Sequence, residues 1–187
     1  MRRWLVESFG NPGEVWRLED DAESFEPESD QLKIDVEAAG LGLPDVLMCN
    51  NNYPLTPPLP FTPSQEAAGK VVAVGENVDK RLIGTRVLGP TLFQAQRGGL
   101  AESCLMHAAS ALPIPDAMSG VEAVGCDRQR KRNHLWQRCF TGARPRGGKA
   151  GRAAFKALAF EGRFLVTGYA IEHIAAGKVE GKVVGRL

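Results

Sequence analysis

Apolar and polar positions alternate in short runs along the first two-thirds of the chain, with Gly, Pro and Asn between the runs. Residues 32–36 set Leu32, Ile34 and Val36 against Lys33 and Asp35, which predicts a strand with one buried face. Residues 70–74 form a nearly pure Val/Ala run closed by Gly75, the pattern of a buried strand. Residues 86–88, bracketed by Gly84 and Gly89, and residues 101–106, after the Gly98-Gly99 turn, read as two further strands. Many short strands without long helical periodicity predict a β-barrel-like domain. Residues 54–63 are dense in proline, which fixes φ and removes backbone donors, so an extended surface connection is expected there. A short helix is expected over residues 45–48, just after Pro44.

The pattern changes near Gly125. Residues 126–146 carry neither helical nor strand periodicity. Residues 152–160 then read as an amphipathic helix, with Phe155, Leu158 and Ala159 on one face. Gly162 stops it, and residues 164–167 read as a strand ending at Gly168. Helix, glycine and strand in that order are an α/β signature. The expected organisation is a mainly β domain over residues 1–124, an irregular basic segment over 125–150 and an α/β piece with a terminal strand over 151–187.

With 43% hydrophobic and 24% charged residues, the composition is that of an ordinary globular protein able to bury a core without staples. A formal net charge of +1 argues against global binding to nucleic acid or to a membrane surface. The charge is uneven: residues 19–30 are acidic, and every charged residue from 128 to 152 is basic. Such blocks are usually solvated loops or tails. A nucleic-acid role for the basic patch is the weakest reading, because only Trp136 and Phe140 interleave with its charges. Cys49, Cys104, Cys126 and Cys139 lie far apart, without the close pairs that zinc lobes and redox motifs need. Scattered thiols fit a reducing cytoplasm, and no apolar run is long enough for a signal peptide or a membrane span. His107, His134 and His173 form no catalytic spacing with a Ser or Cys.

Between residues 37 and 116 the motifs E-A-A-G-L-G-L-P-D-V-L-M, Y-P-L-T-P-P-L-P-F-T-P-S-Q-E-A-A-G-K-V-V-A-V-G-E-N-V, G-T-R-V-L-G, G-G-L-A-E-S and L-P-I-P-D follow one another. In that order they resemble the catalytic half of the medium-chain dehydrogenases/reductases, nearest to the zinc-independent quinone oxidoreductases. The resemblance implies a GroES-like barrel carrying substrate contacts, followed by a Rossmann domain that holds NADPH. Zinc-dependent relatives place a Cys after the A-A-G turn and a His in a P-G-H-E motif. Those positions resemble Gly42 and Gln65 here, and neither is an ordinary zinc ligand, so no catalytic metal is expected. The reductase form usually carries Asn at the place of Gly42, facing the substrate cleft. The P-G-x-E turn is altered to Pro63-Ser64-Gln65-Glu66, and a turn needing φ > 0 at its second position suits Ser64 less well than Gly.

The resemblance makes Gly42, Asp45 and Tyr53 the candidate substrate-binding residues. Tyr53 matches a cleft-lining tyrosine able to stack on a flat quinone or hydrogen-bond its carbonyl. It equally suits packing on the proline segment beside it. Asp45 could orient a polar group in the cleft or cap the helix after Pro44. Glu66 could act in the chemistry or hold loops by hydrogen bonds.

After residue 122 the family continues into a strand, a glycine turn and a helix that receives the dinucleotide pyrophosphate, and no such unit is visible. Residues 141–151 offer glycines with Arg144, Arg146 and Lys149 as a phosphate cradle, although Pro145 interrupts it and no buried strand precedes it. Residues 147–170 resemble a later Rossmann piece, in which Gly168, Tyr169 and Ala170 stand where the family's glycine turn meets the nicotinamide. The fold class expected is therefore a GroES-like barrel (α+β) followed by a truncated α/β Rossmann remnant, left by a deletion or a shifted reading frame. By resemblance the function is NADPH-dependent reduction of a quinone or enone by hydride transfer, in impaired form. The alternative is an inactive GroES-like binding or oligomerisation module. The family dimerises through its Rossmann sheets, so a weakened homodimer is implied.

Overall fold

The computed structural model describes residues 1–125 and 183–186. Strands β1 (Arg3–Val6) and β2 (Trp16–Glu19) form an antiparallel hairpin in which Arg3 faces Glu19. β1 shows no sequence alternation, and β2 (W-R-L-E) alternates over only four residues. Helix α1 (Pro12–Val15) lies between them, with the Asn11 side chain accepting from the Gly13 N–H at 3.3 Å. Trp4 and Trp16 form a diagonal pair across the hairpin, their tilted rings with centroids 6.1 Å apart.

The main sheet is antiparallel and has the order β6-β3-β4-β5-β7. Its strands are β3 (Gln31–Leu41), β4 (Glu66–Val74), β5 (Arg86–Pro90), β6 (Ser103–His107) and β7 (Leu112–Pro113). Helix α2 (Leu43–Cys49) follows β3, and α3 (Gly120–Gly125) closes the first described segment. The hairpin is tied by the isolated bridges Arg3↔Ala101 and Val6↔Phe61 to the segments that lead into β6 and β4. The expected mainly β architecture is what the chain adopts, and the four strands read from the sequence are β3, β4, β5 and β6.

The first half of β3 follows its alternation. Leu32 and Ile34 are fully buried, and the intervening Lys33 reaches Glu26 at 3.2 Å. Its second half does not alternate, because both faces are buried: Ala38 packs with Ala123 and Val124 of α3, and Ala39 and Leu41 pack in the cluster of Leu32 and Ile34. A Cβ on Gly40 would come within 2.9 Å of the Val124 side chain, so the A-A-G run is small where a helix lies on it. β6 pairs with β3 only over residues 31–35. β8 (Val183–Arg186) takes the remaining length of that edge, with Ala38↔Arg186 and Leu41↔Val183 in register. The terminal strand thus joins the barrel's own sheet and satisfies an otherwise open edge.

One expectation is corrected. The proline-dense segment is not all surface, since Pro57, Phe61, Thr62 and Pro63 are buried. Phe61 and Val6 exchange both backbone hydrogen bonds, at 2.8 and 3.1 Å, which pulls the end of the segment into the core. The basic patch, the phosphate-cradle candidate, and the helix and strand expected over 152–167 lie outside the described residues.

Candidate functional site

Helix α2 begins where the sequence supplies a cap. Gly42 precedes it, Pro44 needs no N–H partner in the first turn, and Asp45 stands at the third position. Asp45 Oδ2 accepts from the Gly42 N–H at 2.8 Å, and Oδ1 accepts from the Ser64 N–H at 2.8 Å. The carboxylate, 2% exposed, ties the end of β3 to the turn before β4. The cap read from the sequence is formed by this geometry.

Ser64 occupies the second position of the altered turn with φ of 81°, the left-handed region that costs an L-residue roughly 1–2 kcal/mol. Its polar atoms compensate. Oγ lies 3.0 Å from Gly40 O and 2.9 Å from Glu66 O, donating its one proton to either. Its carbonyl accepts from Thr91 Oγ1 at 2.8 Å and from the Gly99 N–H at 2.9 Å. One buried serine therefore joins β3, β4 and the loop after β5.

Beside this brace lies a cleft of about 230 Å³. Gly40, Gly42, Pro44 and Asp45 form one side, and Gln65, Glu66, Pro90 and Phe93 the other. Gly42 and Asp45, both singled out from sequence, are thus brought together. Tyr53 packs on a separate cluster built on Val6, Met48, Cys49 and Phe61, to which Phe93 also belongs. It is not among the described residues lining the cleft. Gly168, Tyr169 and Ala170 lie outside the described residues. The contributions of Pro90 and Phe93 were missed, because neither belongs to a periodic run and only the pairing of β4 with β5 brings them to Glu66.

Neither described cysteine suits nucleophilic chemistry. Burial pushes the Cys49 thiol up to about 11; the Trp16 N–H, 3.0 Å from its sulfur, partly opposes the shift and the Asp45 charge adds to it. Burial alone raises the Cys104 thiol further. His107 is exposed and meets only Asp30, at 3.1 Å. Among the described residues, no three His, Cys, Asp or Glu side chains converge to hold a metal ion. No helix among them is long and apolar enough to cross a membrane.

Residues 28–116 match the alcohol dehydrogenase GroES-like domain family. A quinone oxidoreductase-like protein 2 homolog of Nematostella vectensis is 37% identical over 93 residues, which cover 50% of this chain and 25% of that protein. Among solved structures, the human synaptic vesicle membrane protein VAT-1 homolog-like protein is 33% identical with a TM-score of 0.59, covering 67% of this chain and 38% of that one. Escherichia coli quinone oxidoreductase, solved in complex with NADPH, is 26% identical with a TM-score of 0.58, covering 68% and 37%. The chain therefore spans between a quarter and two-fifths of the length of these relatives. By these matches residues 28–116 form an alcohol dehydrogenase GroES-like domain, and through it the chain is similar to the quinone oxidoreductase-like medium-chain dehydrogenases/reductases.

Proposed function

We propose that this chain is the substrate-side part of a zinc-independent, NADPH-dependent oxidoreductase that reduces a quinone or an activated alkene. The observation that carries this reading is the cleft at Gly42 and Gln65, set in a domain matched by quinone oxidoreductases. Its described lining contains no Lys or Arg, and Pro44, Pro90 and Phe93 give it apolar walls. Such a site suits an uncharged flat ring, whether substrate or nicotinamide, and not a pyrophosphate.

NADPH, when bound, would supply a hydride to the conjugated system, and a proton from solvent would complete the two-electron reduction to hydroquinone. The chain's own part is positioning. Gly42 leaves room beside the ring, Asp45 holds the loop that carries Gly42, and Tyr53, outside the described lining, is assigned to the substrate side by sequence alone. Gly168, Tyr169 and Ala170 are assigned to the nicotinamide side by sequence. No acid–base side chain is required, because solvent reaches the reduced oxygen. A homodimer in the cytoplasm completes the reading, without membrane or nucleic-acid partners.

The test combines duroquinone-dependent NADPH oxidation by the purified chain with its melting temperature in excess NADPH. Saturable oxidation is expected, with an upward shift of the midpoint worth about 2.7 kcal/mol at a hundredfold excess over Kd. A cooperative melt without shift and without oxidation would overturn the enzyme reading and leave the inactive binding module in its place.

A further inference from the structure

Hydrogen-bond donors in the cleft are scarce, and one of them is uncommitted. The described lining consists of Gly40, Gly42, Pro44, Asp45, Gln65, Glu66, Pro90 and Phe93. Proline has no N–H, phenylalanine has no polar atom and carboxylates only accept. The Gly42 N–H is already spent on Asp45. Gln65 is therefore the one described lining residue whose side chain can donate a hydrogen bond.

Among the described residues the carboxamide has no hydrogen-bond partner, and its Nε2 is buried. The backbone at its root is fixed, since the Gln65 carbonyl accepts from the Thr91 N–H at 2.9 Å. A fixed root with an uncommitted head is unusual, because a buried donor left without an acceptor carries a penalty that any incoming acceptor relieves. Turning the carboxamide about its last torsion exchanges the places of Oε1 and Nε2 and breaks no hydrogen bond among the described residues.

We propose that Gln65 is the ligand-binding residue that selects for a carbonyl oxygen in this cleft. The inference rests on the reading of the cleft as a quinone or enone site. A ring carrying a carbonyl gains the Gln65 N–H, and a ring of the same shape without one leaves that donor unsatisfied. Asp45 and Glu66 reinforce the choice, because their oxygens disfavour another anion and do nothing for a hydrocarbon.

The test compares two probes of similar outline, duroquinone and the carbonyl-free 1,2,4,5-tetramethylbenzene, bound to the full chain and followed by tryptophan fluorescence. Gln65→Met keeps length and volume and removes the donor. Gln65→Glu keeps the shape and replaces the donor with an acceptor. Both variants are expected to lose duroquinone affinity by roughly fivefold or more while tetramethylbenzene binding stays unchanged. Equal loss for both probes would reduce Gln65 to a packing role and overturn the inference. Undiminished duroquinone binding in both variants would also overturn it, with the quinone site intact. Failure of the unaltered chain to bind duroquinone would instead remove the function reading, and this inference with it.

Discussion

Replacing Asp45 with asparagine changes one atom and breaks the reciprocity that sets the site. The carboxylate is 2% exposed and accepts two backbone N–H groups, one from Gly42 and one from Ser64, each at 2.8 Å. Asparagine can satisfy only one of them, and its NH₂ then faces the other N–H donor to donor. A hydrogen bond to a charged group is worth about 1.5–3 kcal/mol net, and the orphaned donor adds a cost of about 1–3 kcal/mol. Neutralising a buried carboxylate returns part of this, so a net loss of about 2–4 kcal/mol is expected. Urea unfolding followed by tryptophan fluorescence should show it as a midpoint lowered by about 1–3 M, for a slope near 1.5 kcal/mol/M. Asp20→Asn, at an exposed position, serves as the control and should change the midpoint little. A loss below about 0.5 kcal/mol for Asp45→Asn would refute the claim that this carboxylate braces the cleft.

Four further outcomes are expected. A Cβ on Gly69 would overlap the Asp35 carbonyl across the β3–β4 pair, whereas one on Gly84, at φ of 88°, meets open space. Gly69→Ala should therefore lose about 3 kcal/mol or more and Gly84→Ala only about 1 kcal/mol, and similar melting points for the two would contradict this. Cys49 and Cys104 should resist alkylation in the native state and react once urea unfolds the chain, read by mass mapping of their peptides. Because the folded Cys49 thiol is raised from 9.0 to about 11, the unfolded state loses its proton first, so stability should fall as pH rises through that window. Hydrogen bonds from the Arg2 backbone and guanidinium lower the Glu102 carboxyl, so its contribution is present above the ordinary carboxylate range and lost as pH falls through the depressed value. Glu102→Gln should flatten the acid limb of melting temperature against pH, and an unchanged limb would count against the pair.

The sequence by itself determined where the chain alternates, turns and caps. Leu32, Ile34 and Val36 mark half of β3, the Val/Ala run marks β4, and Pro44 with Asp45 starts α2, because these signals act within a few residues. The conflict at Ser64 was legible as well, since a turn built for φ > 0 carries a residue that has to work for it. What only tertiary structure decided are contacts between segments remote in sequence. The A-A-G end of β3 is a strand because α3 lies on it and β8 completes its edge, and neither partner leaves a trace in local propensity. The place of the β1–β2 hairpin is set by its bridges to Phe61 and Ala101, which its four-residue strands do not announce. Pro90 and Phe93 reach Gln65 and Glu66 only when β5 pairs with β4. Local physics wrote the elements, and the cleft between them is a property of their packing.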